Sequence, residues 1–150
     1  MTSIRTWMSV LLVMGIIGEG SVRAAQESAP GISESVEAGK SLVLLEPGHG
    51  AAVPEWPYVR GRVQNSKVHV WVIVHPMETG DYWVEPQAGV RDDGTWVAQA
   101  HIGRPGTIDV GKRFEVRAVA NPASALHEGD VLPFWPDAQW SSDLIEVERR

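Results

Sequence analysis

The side chains through which this chain could do chemistry are its seven tryptophans, its five histidines and a scatter of loop carboxylates. Tryptophan stands out against only two tyrosines and two phenylalanines. A flat indole suits the face of a sugar ring or a partner side chain, and its N–H adds one directional bond. Trp71, Trp83 and Trp140, together with Arg117 on an outward strand face, are therefore the expected ligand-contacting residues; Trp71 either packs under a covering loop or stands exposed on the sheet. The plainer use of tryptophan is to fill volume in a thin sandwich short of phenylalanine, and Trp96 reads as core in that way. Trp56 and Trp135 each precede a proline, which suits rigid turns and leaves the peptide isomer open.

The histidines and carboxylates are harder to assemble. His69 and His75 share one strand face, but six residues of extended chain hold them about 20 Å apart, too far to share an ion. His101 reaches either only through sheet pairing, and His49 and His127 fall in loops. There is no H-x-H, no H-E-x-x-H and no aspartate-rich calcium loop, and Asp92-Asp93-Gly94 reads as a turn. Nucleophile elbows, P-loops and G-x-G-x-x-G are absent too. Glu128, Asp130, Asp137 and Asp143 lie on loops, yet paired catalytic carboxylates need a cleft of defined spacing, which nothing in the pattern specifies. Without cysteine there are no disulfides, thiolate metal sites or thiol nucleophiles. The expectation is a protein with no catalytic residue, no metal and no cofactor.

The elements that must position these residues are short strands. Alternation with period two marks residues 42–46, 58–63, 68–75, 82–85, 96–102, 114–120 and 144–148, with a further start at 89–91. In the strongest, Val68, Val70, Val72 and Val74 form one face and His69, Trp71, Ile73 and His75 the other. Trp96, Ala98, Ala100 and Ile102 share a face, as do Phe114, Val116, Ala118 and Ala120. If 68–75 and 82–85 pair, Trp83 could stand beside Trp71. Residues 121–143 fit badly: they are far longer than a hairpin needs, and Asn121-Pro122 could cap a short helical turn ended by Gly129. Seven or eight strands with one long loop predict an all-β antiparallel sandwich.

Two stretches carry a family resemblance. Glu46-Pro47-Gly48-His49-Gly50-Ala51-Ala52-Val53, followed by Val59-Arg60-Gly61-Arg62-Val63, resembles the opening of bacterial immunoglobulin-like modules. Asp93-Gly94-Thr95-Trp96 is similar to the turn before their middle strand. The resemblance implies an immunoglobulin-like β-sandwich; it implies no single function, because such modules serve as spacers, adhesins and ligand binders alike.

The first residues read as an export signal. Arg5 precedes an apolar run from Trp7 to Ile17, broken by Gly18 and Gly20, with cleavage expected after Ala24 or Ala25. That run is well short of the roughly 20 residues a membrane-spanning helix needs, so no stable membrane insertion is expected after cleavage. The expected organisation is a signal peptide over 1–24, a flexible spacer over 25–40 and the sandwich over 41–150, in a secreted or periplasmic protein. Loss of Arg5, Arg23 and Glu19 with the leader leaves 11 basic and 18 acidic residues, a net charge of −7, which disfavours nucleic acid as a partner. The function expected is non-catalytic: an accessory module recognising an envelope or secreted protein, with a glycan as the other ligand class. An inert structural module and a metal-dependent hydrolase are the alternatives.

Overall fold

The computed structural model describes residues 39–150; the expected leader and all but the last two residues of the expected spacer lie outside them. These residues form eleven strands and no helix. The strands are β1 (Leu42–Glu46), β2 (Ala51–Val53), β3 (Tyr58–Val63), β4 (Val70–Pro76), β5 (Tyr82–Val84), β6 (Gly89–Val90), β7 (Thr95–Gln99), β8 (Arg113–Pro122), β9 (Val131–Leu132), β10 (Ala138–Ser141) and β11 (Ile145–Arg149).

The alternation seen in the sequence sets which face is buried. β3 exposes Tyr58, Arg60 and Arg62 and buries Val59, Gly61 and Val63, and β11 buries Ile145 and Val147. Trp96 is core, as its place in the alternation predicts. One sheet runs β1-β3-β7-β6; the other runs β2-β11-β8-β4-β5-β9. All pairings are antiparallel except β2 with β11. Between the two sheets lies the main core, built from Val59, Val70, Val72, Val74, Trp96, Ile102, Phe114, Val116 and Val147 among others.

Residues 121–143 depart from expectation. No helical turn follows Asn121; β8 instead runs on to Pro122, and β10 pairs with its far half while β11 pairs with its near half. Ser142 sits at the change of partner and supplies the missing bonds: its Oγ accepts the Ala118 N–H at 2.9 Å and its own N–H donates to the Ala118 carbonyl at 2.9 Å. β9 meanwhile adds to the edge at β5. The segment thus became sheet because its backbone groups found partners there that a short helix could not have offered. It also covers the outer face of the larger sheet. Leu126, Leu132, Trp135 and Ala138 pack there against Ile73, Val84 and Val119 in a second apolar cluster. Both proline turns after tryptophan are trans, since the cis peptide among the described residues is Glu46–Pro47.

Candidate functional site

Strand register separates the two tryptophans that were expected to stand together. In the β4–β5 pair Ile73 lies opposite Val84 and Val74 opposite Trp83. Alternation therefore sends Trp71 to the outer face with Ile73, and Trp83 to the inner face with Val74. Trp71 is half-buried in the second apolar cluster. Arg117 shares that outer face, its guanidinium 5.0 Å from the centre of the Trp135 ring, while Trp135 meets Tyr82 edge-on at 4.8 Å. Tyr82 stacks in turn on His75 at 4.1 Å. Trp140 packs against the main core. The four expected residues thus form no common surface. Of the four, Trp83 lines a cleft, and it remains 42% exposed there.

That cleft has a volume of about 530 Å3 and lies between the end of the larger sheet and the segment 101–112. Val74, Pro76 and Phe114 supply apolar lining, Trp83 an aromatic wall, and Glu85, His101 and Arg104 its polar groups. Volume and mixed lining fall in the range of small-molecule sites.

The wall formed by 101–112 has no regular strand and is held by a buried carboxylate. Asp109 accepts the Arg104 backbone N–H at 2.7 Å and the Arg104 side chain at 3.1 and 2.8 Å, with Lys112 Nζ at 3.3 Å. These bonds, those from Arg104 above all, hold its carboxyl well below the usual range. Gly103 turns the chain at φ +77°; a Cβ there would meet Asp109 at 3.0 Å and Phe114 at 3.1 Å. Only glycine fits that turn without strain.

A second tie comes from Glu55. Its Oε2 accepts the Gly106 N–H at 3.1 Å and Arg149 Nη2 at 3.1 Å, and its Oε1 lies 3.5 Å from His101 Nε2. The Gly106 N–H, with Arg149 and His101 near it, keeps Glu55 below its ordinary value. Trp56 stacks on the His101 ring at 4.1 Å, so the turn before β3, the segment 101–112 and the end of β11 are joined at one corner.

Glu85 is the chemically distinctive group. It is 7% exposed, its Oε2 accepts the His101 backbone N–H at 2.7 Å, and no cation pairs with it among the described residues. Burial raises its carboxyl to about 7, only partly offset by the His101 N–H, and the charge of Glu128 pushes in the same direction as burial. A buried carboxyl that titrates near neutrality in a cleft marks a candidate site. His101 and Glu85 are not linked as an acid–base pair, because the imidazole Nε2 faces Glu55 while Glu85 takes a backbone N–H. His127 lies apart, with Asp130 at 3.4 Å. No group of three His, Asp or Glu side chains suited to a metal ion occurs among the described residues.

The expected site residues omitted Glu85, Glu55 and Asp109. For Glu85 the sequence offers only its parity with Trp83; the register of β5 on β4 turns that shared face inward, an unusual place for a charge. No comparable signal exists for Glu55 or Asp109. Comparison with known protein families, with curated proteins and with solved structures finds no match to this chain.

Proposed function

We propose that this protein is an exported, non-catalytic binding module of immunoglobulin-like type, and that its ligand site is the cleft walled by Trp83. The observation that carries the reading is an exposed tryptophan beside a buried, cation-free carboxyl in a preformed cleft. The immunoglobulin-like part of the reading rests on strand order. β1-β3-β7-β6 follows the A-B-E-D order of such sandwiches, and β11-β8-β4 follows G-F-C. Its partner is an envelope or secreted protein, or a glycan, with nucleic acid disfavoured by charge. An inert structural module would have no need to leave Trp83 uncovered above a cavity.

Capture from an envelope extract, together with a glycan panel, tests the site. Trp83→Ala is expected to weaken retention of the ligand about 10-fold or more, since an aromatic anchor contributes about 2 kcal/mol at a binding surface. Trp71→Ala should leave retention intact and lower the unfolding free energy by about 2 kcal/mol instead, because it opens a gap in the outer cluster. Equal retention by wild type and Trp83→Ala would remove the cleft from the function. Export has its own check: N-terminal sequencing of the protein recovered from outside the cytoplasm should begin at Ala25 or Gln26.

A further inference from the structure

The charges in the cleft do not balance evenly. Three cations line it, Arg104, Lys112 and Arg113, and each already has a carboxylate. Arg104 grips Asp109 at 2.8 Å, Lys112 lies 2.8 Å from Glu78, and Arg113 lies 3.0 Å from Glu146 on the neighbouring strand. Asp81 and Glu85 line the same cleft and have no cationic partner among the described residues. The Glu85 side chain uses one oxygen for the His101 N–H and makes no other hydrogen bond. The unmatched charge is therefore negative, and it lines the same cleft as the part-exposed Trp83.

We propose that the cleft binds a primary alkylammonium group, the cation meeting the free oxygen of Glu85 and its alkyl stem lying along Trp83. The inference rests on the cleft being the ligand site and names the chemistry of its ligand. A carboxylate and an indole together suit such a cation: the carboxylate supplies a charge-assisted acceptor, and the ring face attracts positive charge while packing on methylenes. An anion would meet no unpaired cation in the cleft, and where Glu85 is ionised a neutral ligand would leave its charge buried and unmatched. Either a free amine or a lysine side chain of a partner protein carries this group.

Recognition of this kind depends on pH through Glu85. The charged groups around it are His101 from the end of β7, Glu128 from the turn before β9 and Asp81 from the turn before β5. Across the cleft stand the paired Arg104, Asp109 and Lys112, with Glu78 and Arg113 at its rim. With Glu85 neutral the cation loses its counter-charge; with Glu85 ionised it regains it. Affinity for an amine should therefore rise about tenfold between pH 6 and pH 8, and bound amine should lower the titration midpoint of Glu85.

The test is a titration of the full chain with n-butylammonium, Nα-acetyl-lysine methylamide, n-butanol and butyrate, followed on the indole N–H signal of Trp83. The signal is assigned by its loss in Trp83→Phe, and Glu85 is followed by its side-chain carboxyl carbon. Both amines should shift the Trp83 signal and the two uncharged or anionic probes should not. Preference for the lysine amide assigns the source to a partner protein, and preference for butylammonium assigns it to a free amine. Glu85→Gln should keep the His101 bond, bind amines at least 10-fold more weakly at pH 8 and abolish the pH dependence. Equal shifts with n-butanol, or amine binding unchanged in Glu85→Gln, would overturn the inference while leaving the cleft as the ligand site. No shift with any probe would overturn the inference, and equal retention of the envelope ligand by wild type and Trp83→Ala as well would overturn both.

Discussion

Glu85→Gln should stabilise the fold by about 2–3 kcal/mol at pH 8 and by nothing at pH 4. The carboxyl has an ordinary value of 4.5 and is raised to about 7 in the folded chain. Between those values the folded state holds a proton that the unfolded state has released, so unfolding becomes easier as pH rises. The stability that neutral Glu85 permits is thus complete below pH 4.5 and is lost as pH climbs through 7. Moving a carboxyl's titration midpoint by one pH unit corresponds to about 1.4 kcal/mol, and partial solvation of the ionised group in the cleft keeps the total near the figure given. Glutamine retains the acceptor for the His101 N–H and never ionises. Urea unfolding of both proteins at pH 4, 5.5 and 8 checks it: the curves should coincide at the lowest pH and diverge steadily above. Two curves that stay parallel across the series would mean that Glu85 ionises in the fold without cost.

Gly61→Ala should be more damaging than alanine at any other described glycine, costing more than about 3 kcal/mol. Gly61 lies directly opposite Trp96 in the β3–β7 pair, and the indole occupies the space a side chain would take. A Cβ at Gly61 would fall 2.0 Å from the Val43 carbonyl oxygen and 2.3 Å from the Trp96 ring. Neither can yield easily. Trp96 is 2% exposed within the main core, and Val43 is held by the β1–β3 ladder opposite Arg62. Relief therefore requires β1 to move off β3, which breaks hydrogen bonds between strands. Combining Gly61→Ala with Trp96→Val should recover only part of the loss, because the Val43 carbonyl remains in the way. Thermal unfolding of the three proteins gives the answer, and an unchanged midpoint for Gly61→Ala alone would contradict the packing described.

The difference between these two positions shows what was legible beforehand. Gly61 and Trp96 both belong to stretches whose alternation announced an inward face, and Trp96 is core as that pattern requires. Glu85 lies one residue beyond a short strand, and which face of that strand points inward is set by its register on β4, not by its own pattern. Arg117 and Trp71 faced outward as expected, but outward from the main core did not mean toward solvent. The segment 121–143 laid a second apolar layer against Trp71 and set the Trp135 ring 5.0 Å from the Arg117 guanidinium. Asn121-Pro122 is a good local start for a helical turn, and local pattern therefore points to the wrong conformation for it. The chain there follows non-local pairing with β8 and β5 instead.

The sequence by itself determined an all-strand protein, the faces of its longer strands and the core place of Trp96. Each follows from alternation or packing within a few residues of chain. Only the tertiary structure decided that Trp71 and Trp83 lie on opposite faces, that short strands raise the total to eleven, and that a cleft exists. The cleft joins Trp83 and Glu85 from β5 and its end to a wall at 101–112, which Asp109 ties internally and Glu55 and Arg149 tie to distant parts of the chain. Such a meeting depends on strand order and register across the whole fold, and no local pattern of residues encodes it.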